Sequence, residues 1–288
     1  MLVVNSVPEL KSAIISWKKQ GFQIGFCPTM GALHSGHMDL VDTSKSKSLK
    51  TIVSIFINPT QFNDPKDFEK YPKTTESDLK LCETMGVDLV FLPTVETMYP
   101  PETTPIQMSI PKLQETLCGK TRPGHFEGVL LIVSKLFHLV EPDFAFFGLK
   151  DYQQYRIICS LVEQLNFPLE VIGVPTKREN DGLAMSSRNM RLSEKERETS
   201  SLIPRMFSLA KKIIGGGEKN IPILIEILKD FLLTGQNVKI DYLEFVHPEN
   251  LQTLDVLLEE SILAVAIFVG NVRLIDNQMI QLSPPVIK

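Results

Sequence analysis

Two histidines three residues apart, His34 and His37, stand out in the segment Pro28-Thr29-Met30-Gly31-Ala32-Leu33-His34-Ser35-Gly36-His37. At that spacing two imidazoles fall on one face of a helical turn. Gly31 and Gly36 permit close backbone approach to a ligand. The free N–H groups at the start of a helix attract phosphate. Such a constellation can hold a triphosphate and offer two N–H donors to developing negative charge. A turn with two surface histidines fits the same residues, so the pair does not decide the matter alone. Zinc is disfavoured, because no Cys or third His stands at ligand spacing.

A second cluster, Met185-Ser186-Ser187-Arg188-Asn189, offers hydroxyls and a guanidinium, groups that suit pyrophosphate oxygens. Three more polar clusters are Asn58-Pro59-Thr60-Gln61-Phe62-Asn63, Arg122-Pro123-Gly124-His125-Phe126-Glu127-Gly128-Val129 and Gly148-Leu149-Lys150-Asp151-Tyr152-Gln153-Gln154. Each could be a turn, a cap or a surface basic residue. Ordinary junctions vary independently, so polar groups at all of them point to one site.

The elements that must carry these clusters alternate between strand and helix. Ser6 and Glu9 form a capping-box pattern, and the helix they open runs to about Gln20. Apolar strands follow at 22–27, 50–57, 87–92, 143–147 and 169–174, with helices from near His37 and over 75–85, 125–140 and 151–165. Unbroken apolar strands between helices predict a doubly wound, Rossmann-like parallel sheet covered on both faces. Such α/β sheets bind ligands beyond the carboxyl ends of their strands, where the polar clusters fall. After Pro175 the character changes. The stretch 176–189 is polar, a capping box at Ser193 and Glu196 opens a helix ending at Gly215-Gly216-Gly217, another helix covers 223–233, and strands cover 239–246, 262–269 and 272–280. The reading is a first domain over 1–174 and a smaller α+β domain over 175–288.

Composition narrows the classes. The 288 residues are 43% hydrophobic and 22% charged, as in ordinary globular proteins. Thirty Lys and Arg against 34 Asp and Glu leave a net charge of −4, which argues against a nucleic-acid backbone binder. No apolar stretch is long enough to span a membrane, and no signal-peptide pattern opens the chain, so a cytoplasmic protein is expected. Cys27, Cys82, Cys118 and Cys159 are scattered without a CxxC pair and read as reduced thiols.

The HxGH arrangement resembles the signature of the nucleotidylyltransferase superfamily, whose members make adenylates. The combination of PTMGALHxGH, NPxQF, RPGHFxGV, KDYQQ and DGLAMSSRN resembles the pantothenate synthetase (pantoate–β-alanine ligase) family over nearly the whole chain. That resemblance implies joining of pantoate to β-alanine at the expense of ATP, through a pantoyl adenylate, with AMP and pyrophosphate released. It implies that His37, His34 and Lys150 carry the catalysis. ATP contacts would come from Met30, Gly31, Ala32, Leu33, His34, Ser35, Gly36, His37, Gly148, Leu149, Lys150, Asp151, Lys177, Met185, Ser186, Ser187 and Arg188, with Asp151 on the ribose hydroxyls. Gln61 and Gln154 would grip pantoate, Asn58 would support them, Arg122 and His125 would form the opposite wall, and Gln61 would also meet β-alanine. Magnesium would arrive with ATP, with Asp78 as its carboxylate partner. Ser77, Lys177 and Leu149 depart from the residues usual in the family. A homodimer is implied by the family alone. Other adenylate-forming enzymes, such as an aminoacyl-tRNA synthetase, and a silent nucleotide-binding protein are the competing readings.

Overall fold

Six strands pair in parallel among the described residues: β1 (Leu2–Val4), β2 (Ile24–Thr29), β3 (Lys50–Ile55), β4 (Leu89–Phe91), β5 (Phe144–Gly148) and β6 (Glu170–Val174). Their order is β1-β4-β3-β2-β5-β6. A computed structural model describes residues 1–47, 50–63, 68–104 and 106–282. Residues Ile24–Cys27 of β2 and Thr51–Ile55 of β3 are buried, as strands covered on both faces must be. The strand order turns at β2, with β3 on one side and β5 on the other. In open α/β sheets that switch point is where ligands bind, outside the carboxyl ends. Met30–His37 follows β2, and Gly148 ends β5 with Leu149 directly after it.

The longer helices that accompany this sheet are α1 (Val7–Lys19), α2 (Ser35–Lys47), α3 (Thr75–Thr84), α4 (His125–Val140) and α5 (Tyr152–Gln164). The Ser6–Glu9 capping box forms as expected. Helix α2 begins at Ser35, two residues before the expected start. β1 was not foreseen: three residues are too few to show a period, and its pairing with β4 makes it a strand. Phe26, Phe137 and Phe146 are fully buried, each worth roughly 1.5–3 kcal/mol of burial.

The chain divides into two units, the first made of Met1–Ile110, Arg122–Leu149 and Gln154–Thr176. The second takes the rest from Lys177 and also Pro111–Thr121 and Lys150–Gln153, which the sequence reading put in the first domain. The side chain of Gln153 explains part of this division. It accepts from the Cys118 N–H at 2.9 Å and donates to the Leu113 and Thr116 carbonyls, both at 2.8 Å. Such a long-range tie leaves no periodic signal.

The second unit is an antiparallel sheet of β7 (Val238–Val246), β8 (Glu260–Val269) and β9 (Val272–Gln281), in that order. Helices α6 (Glu194–Ser200), α7 (Leu202–Gly215) and α8 (Ile221–Leu233) accompany it. Met206, Phe207, Leu224, Leu228, Phe245 and Val265 belong to its core. The single helix expected after Ser193 is two helices broken at Ser201. Pro204, which has no N–H, sits in the first turn of α7, where it is tolerated.

Candidate active site

The loop from β2 into α2 is held by a buried carboxylate. Gly31 and Ala32 both adopt left-handed backbone angles, φ 81° and 51°. This turns two consecutive N–H groups toward Asp78. Ala32 donates to its Oδ2 and Leu33 to its Oδ1, both at 2.9 Å, and the Thr74 hydroxyl reaches the same two oxygens at 3.1 and 3.2 Å. Positive φ is costly for alanine, and the carboxylate offsets that strain. Glycine suits position 31 on two grounds, its positive φ and the tight fit of a Cβ, which would lie 3.1 Å from Asp78 Oδ2 and from Ile55 Cγ2.

Sequence reasoning expected free amides awaiting phosphate, and the loop corrects that picture. The N–H of Gly31 donates to Thr29 Oγ1 at 3.2 Å. That of His34 donates to His37 Nδ1 at 3.2 Å, and that of Gly36 to His34 Nδ1 at 3.1 Å. His37 and Met38 both donate to the His34 carbonyl. These amides shape the loop instead of facing outward. An Nδ1 that accepts a backbone N–H carries no proton, so each ring bears its proton on Nε2. With those amides engaged, the two imidazole Nε2–H groups, on rings 4.1 Å apart, are side-chain donors of the segment.

Next to this loop lies a chain of oriented amides. Asn58 is 1% exposed; its Oδ1 accepts from the Tyr99 hydroxyl at 2.8 Å and from the Thr60 hydroxyl at 3.0 Å. Burial holds the Tyr99 phenol above its ordinary pKa, which keeps it a donor, although its contact with Thr60 acts the other way. With Oδ1 so engaged, Nδ2 donates to the Gly128 carbonyl and to Gln61 Oε1, both at 3.1 Å. Gln61 must then present Nε2, which lies 3.0 Å from Met30 Sδ. That contact joins the histidine loop to Gln61.

Arg122 and His125 grip the same residue by its main chain. His125 is buried, and its Nδ1 donates to the Gln61 carbonyl at 2.7 Å while Arg122 Nη2 reaches that oxygen at 3.4 Å. The His125 Nε2 accepts from Arg122 Nη1 at 3.1 Å. Helix α4 approaches so closely that a Cβ on Gly128 would lie 2.5 Å from the Thr60 carbonyl oxygen. Gln154 is half-buried at the start of α5, and Leu149 lies over Gly173, which accommodates its apolar side chain.

The remaining expected residues belong to the second unit. Lys150 is partly buried, its Nζ 3.9 Å from the more exposed Asp151 carboxylate. Lys177 and Met185 close a hairpin through the bond from Met185 N–H to the Lys177 carbonyl at 2.9 Å, with Arg178 bridged to Ala184. Ser186 caps the Ser187–Arg191 turn by accepting from the Arg188 N–H at 3.2 Å. Below it, Glu179 accepts from Asn189 at 2.6 Å and from Arg197 at 2.7 Å.

Magnesium at Asp78 does not fit this donor set, because the oxygens that would bind it already accept amides and a hydroxyl. Among the described residues no group of three His, Cys, Asp or Glu could hold a metal. Sequence reasoning missed Tyr99 and the β9 pair Asp276-Asn277. An acid interrupting the apolar alternation of Val272, Leu274 and Ile280 was the one visible signal. Of the four free thiols, Cys82 is pushed up to about 11, chiefly by burial, and Cys27 higher for the same cause.

A family model described as pantoate-beta-alanine ligase matches residues 2–279. The pantothenate synthetase of Leptospira biflexa strain Patoc 1 is 71% identical over 280 residues, covering 97% of this chain and 99% of that protein. The crystal structure of pantothenate synthetase from Thermus thermophilus superposes with a TM-score of 0.91 at 38% identity, covering 99% of this chain and 100% of that one. A pantoate-beta-alanine ligase structure from Francisella tularensis, complexed with beta-gamma ATP and beta-alanine, gives 0.80 at 32% identity and covers 97% of each chain.

Proposed function

Because the chain belongs to the pantoate–β-alanine ligase family and so forms pantothenate, we propose that it does so through a pantoyl adenylate made from ATP. A carboxylate carbonyl is a poor electrophile until one oxygen becomes a good leaving group. In the first step a pantoate carboxylate oxygen attacks the α-phosphorus, the bond to the bridging oxygen breaks, and pyrophosphate leaves. In the second, the neutral β-alanine amine attacks the acyl carbon, an amide forms, AMP leaves and the amine loses a proton. The Francisella relative's ATP and β-alanine support this choice of substrates.

The observation that supports the reading is the contact between Gln61 Nε2 and Met30 Sδ, which ties an amide donor suited to pantoate to the loop that carries the two imidazoles. Gln61 Nε2–H suits an oxygen of pantoate, with Gln154 as its companion and Asn58, Arg122 and His125 holding Gln61 in place. Gln61 also stands as the candidate contact for β-alanine. The Nε2–H groups of His34 and His37 suit the charge that builds on phosphoryl oxygens. Lys150 offers a flexible point charge to the same end. Ser186, Ser187 and Arg188 suit the pyrophosphate oxygens, Asp151 the ribose, and Met30–His37, Gly148, Leu149, Lys177 and Met185 the rest of the nucleotide. Magnesium, which offsets the charge of ATP, is held by phosphates and water rather than by Asp78.

Pantoate labelled with oxygen-18 in its carboxylate tests the reading. Attack on the α-phosphorus delivers one labelled oxygen to AMP. Label recovered in inorganic phosphate instead would sink the adenylate route.

A further inference from the structure

The inward phase of β9 contains Val272, Leu274, Asp276 and Ile280, all buried. A carboxylate in an apolar row has lost its water and needs a charged partner. Asp276 has one: Arg178 reaches its Oδ2 from Nη1 at 2.7 Å and its Oδ1 from Nη2 at 3.1 Å. Such a two-pronged contact fixes orientation as well as distance. The same guanidinium donates to the Gly182 carbonyl at 3.0 Å and so spans the hairpin that Lys177 and Met185 close. The next residue, Asn277, donates from Nδ2 to the main-chain carbonyl of Lys150 at 2.9 Å. The Ser187–Arg191 turn also packs on β9.

We propose that Asp276 and Asn277 are a positioning pair: Asp276 acts through Arg178 on the hairpin leading into Ser186-Ser187-Arg188, and Asn277 acts on the turn that carries Lys150. This rests on the reading above, in which Lys150 and the Ser-Ser-Arg turn meet the phosphates of ATP. Neither residue lies in a motif that marks the family in this sequence. Lys150 has a long, mobile side chain, so its reach is defined only as well as its main chain is anchored. A misplacement of about 1 Å at a reacting centre can cost on the order of 10² in rate.

The test is a pair of double-mutant cycles on the full chain, read by pantothenate formation at varied ATP and accompanied by thermal midpoints. Asn277→Ala is expected to lower kcat about fivefold, the worth of one hydrogen bond, with KM for ATP little changed. Asp276→Asn is expected to raise KM for ATP about tenfold, because Arg178 loses its charged partner. Added to Lys150→Ala, Asn277→Ala has no further effect on kcat; added to Arg188→Ala, Asp276→Asn has none on KM. Residues that act through one group are not additive, whereas a merely structural loss multiplies. Full multiplication in both cycles overturns the proposal. Unchanged kinetics in Lys150→Ala and Arg188→Ala overturn the underlying reading instead, whatever the β9 variants do. If Asp276→Asn does not fold, the Asn277–Lys150 cycle decides.

Discussion

The backbone of His34 fixes the tautomer of His37, its N–H donating to His37 Nδ1 at 3.2 Å, while the Gly36 N–H between them donates to His34 Nδ1 at 3.1 Å and fixes that ring in turn. Both rings are left with a proton on Nε2, the atom that can meet an anion. The loop thus converts ordinary backbone donors, engaged internally, into two side-chain donors set on rings 4.1 Å apart.

Replacing His37 by alanine removes one of these donors. Pantothenate formation is expected to slow by a factor of about 10² to 10³, the usual cost of losing one transition-state donor. Circular dichroism should be unchanged. Full activity in that variant would remove His37 from the chemistry.

Asp78→Asn separates a loop anchor from a metal ligand. The asparagine keeps one acceptor oxygen but turns an NH2 group toward the amides of Ala32 and Leu33, so the histidine loop loses its seat. Activity is expected to fall at least about tenfold, on the scale of one charged hydrogen bond lost. The magnesium concentration giving half-maximal rate should stay where it is. A large rise in that concentration would return Asp78 to the metal.

Asn58→Asp reverses the polarity of the buried amide chain. An aspartate cannot donate to Gln61 Oε1 or to the Gly128 carbonyl, and it repels both. Gln61 is then driven to turn its oxygen outward, and KM for pantoate should rise by about 10² or more. Tyr99→Phe, which removes one of several donors to Asn58, should raise it only a few-fold. Equal effects from the two substitutions would contradict the relay.

Glu141 offers a stability prediction with a definite sign. Its carboxylate is held below the usual glutamate range by hydrogen bonds from Lys11 and then Lys18, at 2.6 and 3.0 Å. A depressed acid contributes stability that is complete above the unfolded value, about 4.3, and vanishes as pH falls through the lower native value. The side chain is half exposed, so Glu141→Gln should cost only about 0.2–1 kcal/mol at pH 7. Denaturant midpoints should show the difference shrinking at acid pH and in 1 M salt.

Much of the architecture was readable from local pattern. A buried strand such as Thr51–Ile55, apolar apart from Thr51 and Ser54, fits a sheet covered on both faces, and Ser6 with Glu9 announces a helix start without help from elsewhere. The motif residues gathered at strand ends for the same reason. What stayed hidden was every role that depends on distant partners. The resemblance implies Asp78 as a metal acid, and nothing local shows that it accepts the amides of Ala32 and Leu33, which lie far back in the chain. Tyr99 gave no sign of reaching Asn58. The contact of Arg178 with Asp276 crosses most of the second unit's sequence. Hydrogen bonds across such spans have no period and no spacing rule.

The carboxylate beneath Ala32 and Leu33 has one more implication. Many loops that receive anions are slack when empty and tighten only on a guest. Here the Asp78 carboxyl group already accepts the amides of Ala32 and Leu33, so the curve of the segment is held from within the chain. Under the proposed function, association of a nucleotide then needs little ordering of that backbone, and an inhibitor can be fitted to the curve that the segment already holds.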